Sequence, residues 1–172
     1  MKIIDNINET LRDDLKATIK TDTKVAIAAS YFSIYAFQEL KDQLTDIAEL
    51  RFIFTSPTFL TEKTKKERRE FDIPQLQRER SLYGTEYEIK LRNELTQKAI
   101  ARECAEWVRK KVVFKSNITD EHMGGFINVE NDAGCFTYQP VNGFTTVDIG
   151  CEKGNNAYNF VTKLDAPFSE QY

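Results

Sequence analysis

The amino-acid sequence predicts an α/β domain whose mixed sheet is parallel in its first half and antiparallel in its last, flanked by helices. Three observations lead there. Short apolar runs at 24–30 and 50–55 bracket a stretch with apolar residues at helical spacing. Strand, helix and strand within about thirty residues make a βαβ unit, whose two strands run parallel. After Gly124 the pattern changes to short β-rich segments separated by turn residues, as hairpins require. Finally, 172 residues that are 41% hydrophobic and 30% charged suit one globular core over residues 1–172 rather than two.

Each element has its own signal. Ile3, Ile4, Ile7, Leu11, Leu15 and Ile19 form an apolar stripe, which predicts an amphipathic helix over 3–20, broken by Thr21-Asp22-Thr23. The run at 24–30 lacks the strict alternation of a half-exposed strand and so reads as a buried one. Ser33 is placed to cap a helix carrying Ile34, Phe37, Leu40, Leu44 and Ile47. A second buried strand follows at 50–55, closed by Ser56-Pro57. Residues 58–84 are highly charged and contain Pro74, so a charged loop or short helical insertion is expected. A helix over 85–109 runs through Tyr87, Leu91, Leu95, Ala99, Cys104 and Trp107. It finishes on Arg109-Lys110-Lys111, cations that suit the negative end of the helix dipole. Residues 112–116 are a third strand. A hairpin is expected from 124–130 and 135–138 around Asn131-Asp132-Ala133-Gly134, with further strands at 144–148 and 158–162.

Composition excludes several classes of function. No stretch approaches the ~18 apolar residues of a membrane-spanning helix. Residues 1–6 lack the features of a secretory signal, so the expected location is the cytoplasm. Cys104, Cys135 and Cys151 contain no Cys-x-x-Cys pair and His122 is the lone histidine, so no metal site is expected and the thiols read as inert. A nucleophilic pair would have only His122 as base, and no Gly-x-Ser-x-Gly elbow accompanies it. Charge is uneven. Residues 1–60 carry seven Lys/Arg against nine Asp/Glu, 61–115 fifteen against ten, and 116–172 two against eight. The positive middle segment could track a polyanion through Lys63, Lys65, Lys66, Arg68 and Arg69. The same lysines and arginines alternate with Glu62, Glu67 and Glu70, as on a solvated helix. An overall pI near 5.4 argues against a dedicated DNA-binding protein working alone.

Residues 28–37, Ala-Ala-Ser-Tyr-Phe-Ser-Ile-Tyr-Ala-Phe, and the following Leu50-Arg51-Phe52-Ile53 resemble the opening of phospholipase D-like domains. The resemblance is to those at the N-terminus of bacterial DEAD/DEAH-box and Swi/Snf-type helicases. Residues 102–108 and the strand at 112–116 fit the same pattern, which spans most of 5–150. His122 stands where the family's His-x-Lys motif falls. The resemblance implies a phospholipase D-like sheet and an N-terminal piece of a longer ATP-dependent helicase. It implies no cofactor in this piece, with ATP and Mg²⁺ bound by the motor region; no phosphate-binding Gly-x-x-x-x-Gly-Lys loop occurs in the sequence. The implied partners are a nucleic acid, DNA foremost, the downstream motor domain and a second copy of the chain, with no membrane.

In that family a neutral histidine attacks phosphorus and a second protonates the leaving oxygen, so one motif per chain requires two chains. A lysine two residues after each histidine steadies the developing charge. Here that position is Gly124, and Gln139-Pro140-Val141-Asn142-Gly143 replaces the family's Gly-Ser-x-x-Asn before Phe144-Thr145. Each lost donor is worth on the order of 10²–10³ in rate. The expectation is therefore a degenerate site in which His122 is a solvated or hydrogen-bonded loop histidine first and a vestigial phosphate contact second, with Lys115 able to reach it from a neighbouring strand. Tyr31, Phe32 and Tyr35 fall at the C-terminal end of the first parallel strand, where open α/β sheets bind ligands and aromatic rings can stack on bases. Core packing is the competing role for Phe32 and Phe37. Asp148, beside Thr145 and Thr146, reads as turn polarity first and as a functional carboxylate second. The expected function is non-catalytic positioning or recognition of nucleic acid for a helicase, through Lys63, Lys65, Lys66, Arg68, Arg69, Tyr31 and Lys115. The alternative is a metal-independent phosphodiesterase or nuclease completed by dimerisation through His122.

Overall fold

In a computed structural model of the chain, which describes residues 1–55, 97–119, 121–152 and 160–171, seven strands form one mixed sheet. The strands are β1 (Lys2–Ile4), β2 (Lys24–Ala29), β3 (Glu49–Phe54), β4 (Val112–Ser116), β5 (Phe126–Asn131), β6 (Gly134–Gln139) and β7 (Val161–Leu164). Their order is β1-β7-β6-β5-β2-β3-β4. β2, β3 and β4 are parallel, with Lys24 opposite Glu49 and Leu50 opposite Val112. β5 lies antiparallel on the other side of β2, and β6, β7 and β1 continue antiparallel from it. The expected parallel half and antiparallel half are both present.

The helices are α1 (Leu11–Thr18), α2 (Ile34–Glu39), α3 (Lys41–Thr45) and α4 (Gln97–Lys111). Cross-strand partners share a face of the sheet. The face bearing Val25, Ile27, Leu50, Phe52, Ile127, Val129 and Tyr138 joins one core with Leu11, Leu15, Phe37, Leu44 and Trp107 from the helices. Ser33 caps α2 as expected, its Oγ accepting the Tyr35 N–H at 3.2 Å.

Several elements depart from expectation. The helix expected over 3–20 begins only at Leu11. The Asp5 carboxylate accepts the N–H groups of Ile7, Asn8 and Glu9, and Asn6 takes a left-handed φ of 53°, so the chain turns where a helix would continue. Residues before that turn pair with β7 instead, leaving Ile3 63% and Ile7 53% exposed. The helix expected from Ser33 to Ile47 divides at Leu40, where φ −112° and ψ 12° leave the helical region. Leu40, Leu44 and Ile47 nevertheless stay buried. The strand expected at 144–148 is one bridge, Phe144 with Phe32, followed by a turn. That turn wins because Thr145 and Asp148 close it: the Thr145 hydroxyl donates to the Asp148 carboxylate, and Thr145 O accepts the Ile149 N–H at 3.1 Å. The helix expected over 85–109 is described from Gln97, with Ile100, Cys104 and Trp107 inward and Ala99 outward. In the strand expected at 158–162, the ladder runs over Val161–Leu164, and Tyr158 and Asn159 lie outside the described residues. The insertion expected at 58–84 also lies outside them.

Candidate ligand-binding edge of the parallel strands

Because β2, β3 and β4 run the same way in register, Ala29, Phe54 and Ser116 end together on one edge of the sheet. β5 is antiparallel to β2 and therefore starts at that edge, which brings residues 121–125, His122 among them, there as well. Polar groups organise the rim. Ser30 Oγ and Thr55 Oγ1 share a hydrogen bond of 2.9 Å. The Asn117 side-chain amide donates to Thr55 O at 3.2 Å and to Glu121 O at 2.9 Å, while its Oδ1 accepts the Thr119 N–H at 3.0 Å. Asn117 thus ties the end of β3 to the loop that carries His122. Residues 142–144 run alongside the chain leaving β2: Ser30 N–H donates to Asn142 O at 2.8 Å and Phe144 N–H to Tyr31 O at 2.8 Å.

Gly125 permits a close approach at this rim. Val141 N–H donates to Gly125 O at 3.0 Å, and a Cβ on Gly125 would fall 1.7 Å from Val141 O. At Gly124, by contrast, a Cβ would meet nothing within 4 Å.

His122 is exposed in the loop before β5. Tyr31, 39% exposed, stands just beyond the end of β2. Lys115 is exposed on β4, opposite Ile53. Phe32 belongs to an aromatic cluster, edge-on to Phe52 and Phe114 at 5.5 and 5.7 Å and stacked on Phe144 at 5.7 Å. Phe37 is buried with its ring 4.7 Å from that of Trp107, and Tyr35 is buried within α2 rather than presented at the edge, because it follows the cap and turns inward with the helix. Lys63, Lys65, Lys66, Arg68 and Arg69 lie outside the described residues. Burial raises the Asp148 carboxyl above its ordinary value, against hydrogen bonds from the Thr145 hydroxyl and the Gly143 and Thr145 N–H groups. It serves the turn that backs Tyr31. Burial pushes the Cys104 thiol up to about 11 and is the main cause that takes Cys151 up to about 12, so neither is a thiolate at neutral pH.

A second polar centre was not foreseen from the sequence. Asp14 of α1 is 5% exposed. Its Oδ2 accepts from Tyr138 Oη at 2.6 Å and Lys163 Nζ at 2.8 Å, and its Oδ1 from Lys2 Nζ at 2.8 Å. Burial alone would raise this carboxyl, but the hydrogen bonds from Lys163, Lys2 and Tyr138 outweigh it and lower the pKa to about 2. Lys163 also borders an open cavity of about 400 Å³ lined by Ala17, Thr18, Lys20, Asn131 and Phe136.

Among the described residues, no group of three or more His, Cys, Asp or Glu side chains could hold a metal ion, and no helix is long and apolar enough to cross a membrane. Comparison with protein-family models and with curated proteins found no match to this chain. The chemistry on offer at the rim is hydrogen bonding from hydroxyls and amides, stacking on Tyr31, and one exposed imidazole.

Proposed function

We propose that this chain is a phospholipase D-like module that positions or recognises nucleic acid for a Swi/Snf-type helicase, with a degenerate His-x-Lys site. The observation that carries the reading is the gathering of Tyr31, the Ser30–Thr55 pair, Asn117 and the His122 loop on the carboxyl edge of three parallel strands. The phenol gives a base a face to stack on, and the rim hydroxyls and amides suit phosphate and sugar oxygens. Gly124 supports a non-catalytic role, since no ammonium follows His122 at the required spacing. ATP and Mg²⁺ belong, on this reading, to the motor region. Anisotropy of fluorescein-labelled single strands and duplexes at low salt tests it. Binding that falls several-fold in Tyr31→Ala and Asn117→Ala supports the reading, and no binding to either substrate ends it.

The hydrolytic alternative draws on one observation, the exposure of the His122 ring at this same edge. It predicts nicking of plasmid DNA in EDTA by a dimer, abolished in His122→Ala. An inactive wild type disposes of it.

A further inference from the structure

We propose that a single-stranded nucleic acid also crosses one face of the parallel strands, held by a diagonal of cations formed by Lys24, Arg51 and Lys115. The inference rests on the nucleic-acid reading above and assigns it a strand type and a second contact surface. Register fixes the geometry. Arg51 of β3 lies opposite Ala26 of β2 on one side and Val113 of β4 on the other. Lys24 is two residues before Ala26, and Lys115 two residues after Val113. Side chains two apart on a strand share a face, so all three cations stand on the face opposite the core residues Leu50 and Phe52. Each step along the diagonal is one strand across and two residues along, roughly 8 Å, which gives a line of about 16 Å.

The cations are exposed on this face, although Ala28, further along β2 on the same face, is buried. The Arg51 and Lys24 side chains are 67% and 56% exposed, Val113 is 51% exposed, and Lys115 is exposed. Arg51 contacts Glu49 at 2.6 Å and Lys24 contacts Glu130 at 3.7 Å. Exposed pairs of this kind are weak and screened, so a phosphate can take over either cation. Between the cations lie Ala26, Ile53 and Val113 on the same face, the first two half-buried, with the Glu49 carboxylate opposite Lys24 and beside Arg51. Unstacked bases can rest on these apolar side chains, whereas a duplex keeps its base faces inside the stack; this favours a single strand. Lys115 stands at the carboxyl-edge end of the diagonal, next to Ser116 and Asn117, so the line leads from the face to the rim around Tyr31.

The test is anisotropy of a fluorescein-labelled oligo(dT) about twenty nucleotides long, titrated over a range of salt concentrations. Each phosphate contact on a single strand contributes about −0.7 to the slope of log K against log salt. Arg51→Gln and Lys24→Gln should each weaken binding several-fold and reduce the slope by about 0.7. Lys24→Glu/Arg51→Glu should weaken binding by more than tenfold, while Lys16→Glu, an exposed reversal on α1, changes neither quantity. Thermal melts of every variant separate lost binding from lost fold. Wild-type binding with unchanged affinity and slope in the face variants, but weakened by Tyr31→Ala, overturns this inference and leaves the edge reading standing. A wild type that binds no single strand overturns this inference, and the edge reading falls with it only if the duplex is not bound either.

Discussion

Asp14 is the side chain on which most of the buried electrostatics converge, because Lys2, Tyr138 and Lys163 bring donors to it from β1, β6 and β7. Breaking such a buried arrangement by neutralising one partner typically costs about 3–5 kcal/mol. Asp14→Asn should therefore lower the unfolding free energy by about 3 kcal/mol, measured by urea titration at pH 7. The pH dependence follows from the depressed carboxyl, about 2 against an ordinary 3.8. Its contribution is complete above the ordinary value and is lost as pH falls toward 2, roughly 2 kcal/mol across that window. Urea midpoints between pH 2 and 5 should show this loss in the wild type and a flatter profile in Asp14→Asn. Two adjacent glycines give a second contrast. Gly125→Ala would drive a methyl into Val141 O and should destabilise the rim by about 1–3 kcal/mol. Gly124→Lys meets open space and should leave the melting temperature within a degree or two of wild type. It also tests the proposed degenerate site. On the proposed reading of His122 as the remnant of a His-x-Lys motif, hydrolysis of bis(p-nitrophenyl) phosphate should appear in Gly124→Lys and vanish in Gly124→Lys/His122→Ala. Tyr31 could be placed from the sequence because it follows a strand with a strong local signal. Lys115, by contrast, falls on β4, which β3 and β2 separate from the strand that His122 precedes, so it does not stand on a strand neighbouring that loop as expected. Asp14 could not be placed, since its partners Tyr138 and Lys163 are 124 and 149 residues away and α1 taken alone shows an ordinary acidic first turn.

Trp107 fastens α4 to the rest of the helical layer. Its Nε1–H donates to Leu44 O at 2.7 Å in the core, and its ring lies 4.7 Å from that of Phe37 in α2. One turn later Lys111 Nζ donates to Ile47 O at 2.7 Å. These two bonds occupy carbonyls left at the end of α3 and beyond it, which a helix terminus must otherwise expose to water. Trp107→Phe retains most of the apolar contact but orphans Leu44 O, a loss of about 1–3 kcal/mol. Since Trp107 is the only tryptophan, its emission reports α4 directly. A blue-shifted wild-type spectrum whose red shift in urea coincides with the far-UV transition is expected; an earlier fluorescence transition would mean that α4 undocks on its own. Which elements were legible follows from how local their causes are. The β2–helix–β3 unit carries its own evidence, since two apolar runs frame a capped helix. The isoleucines at 3, 4 and 7 satisfy helical spacing equally well, and only the Asp5 turn and the ladder with β7 decide against it. Leu40 likewise keeps its buried place whether the helix is continuous or divided, so the stripe carries no trace of the break.

The sheet joins segments from both ends of the sequence, and that sets how cooperatively it opens. β2 is flanked by β3 on one side and β5 on the other, and Val25, Ile27, Ala28 and Ala29 are buried. β1 is an edge strand of three residues held by β7, by the Lys2–Asp14 contact and by the terminal ammonium 2.9 Å from Asp165. Neither half could be ordered within the sheet from the sequence. The pairing of β1 with β7 spans nearly the whole chain, and the antiparallel seam between β2 and β5 depends on which side of β2 remains open after β3 and β4 have added. Edge pairings of this length contribute little by themselves, whereas a central strand exchanges its amides only when neighbours on both sides have separated. Hydrogen exchange followed by mass spectrometry should therefore rank β2 and β3 slowest, β5 and β6 next, and β1 fastest, with β7 close behind it. In Asp14→Asn the protection of β1 and β7 should fall further than that of β2, because the substitution removes the link from α1 to those two strands and to β6. Equal losses across all seven strands would mean that the sheet opens only as one unit, and that Asp14 acts on its overall stability rather than on the attachment of its antiparallel edge.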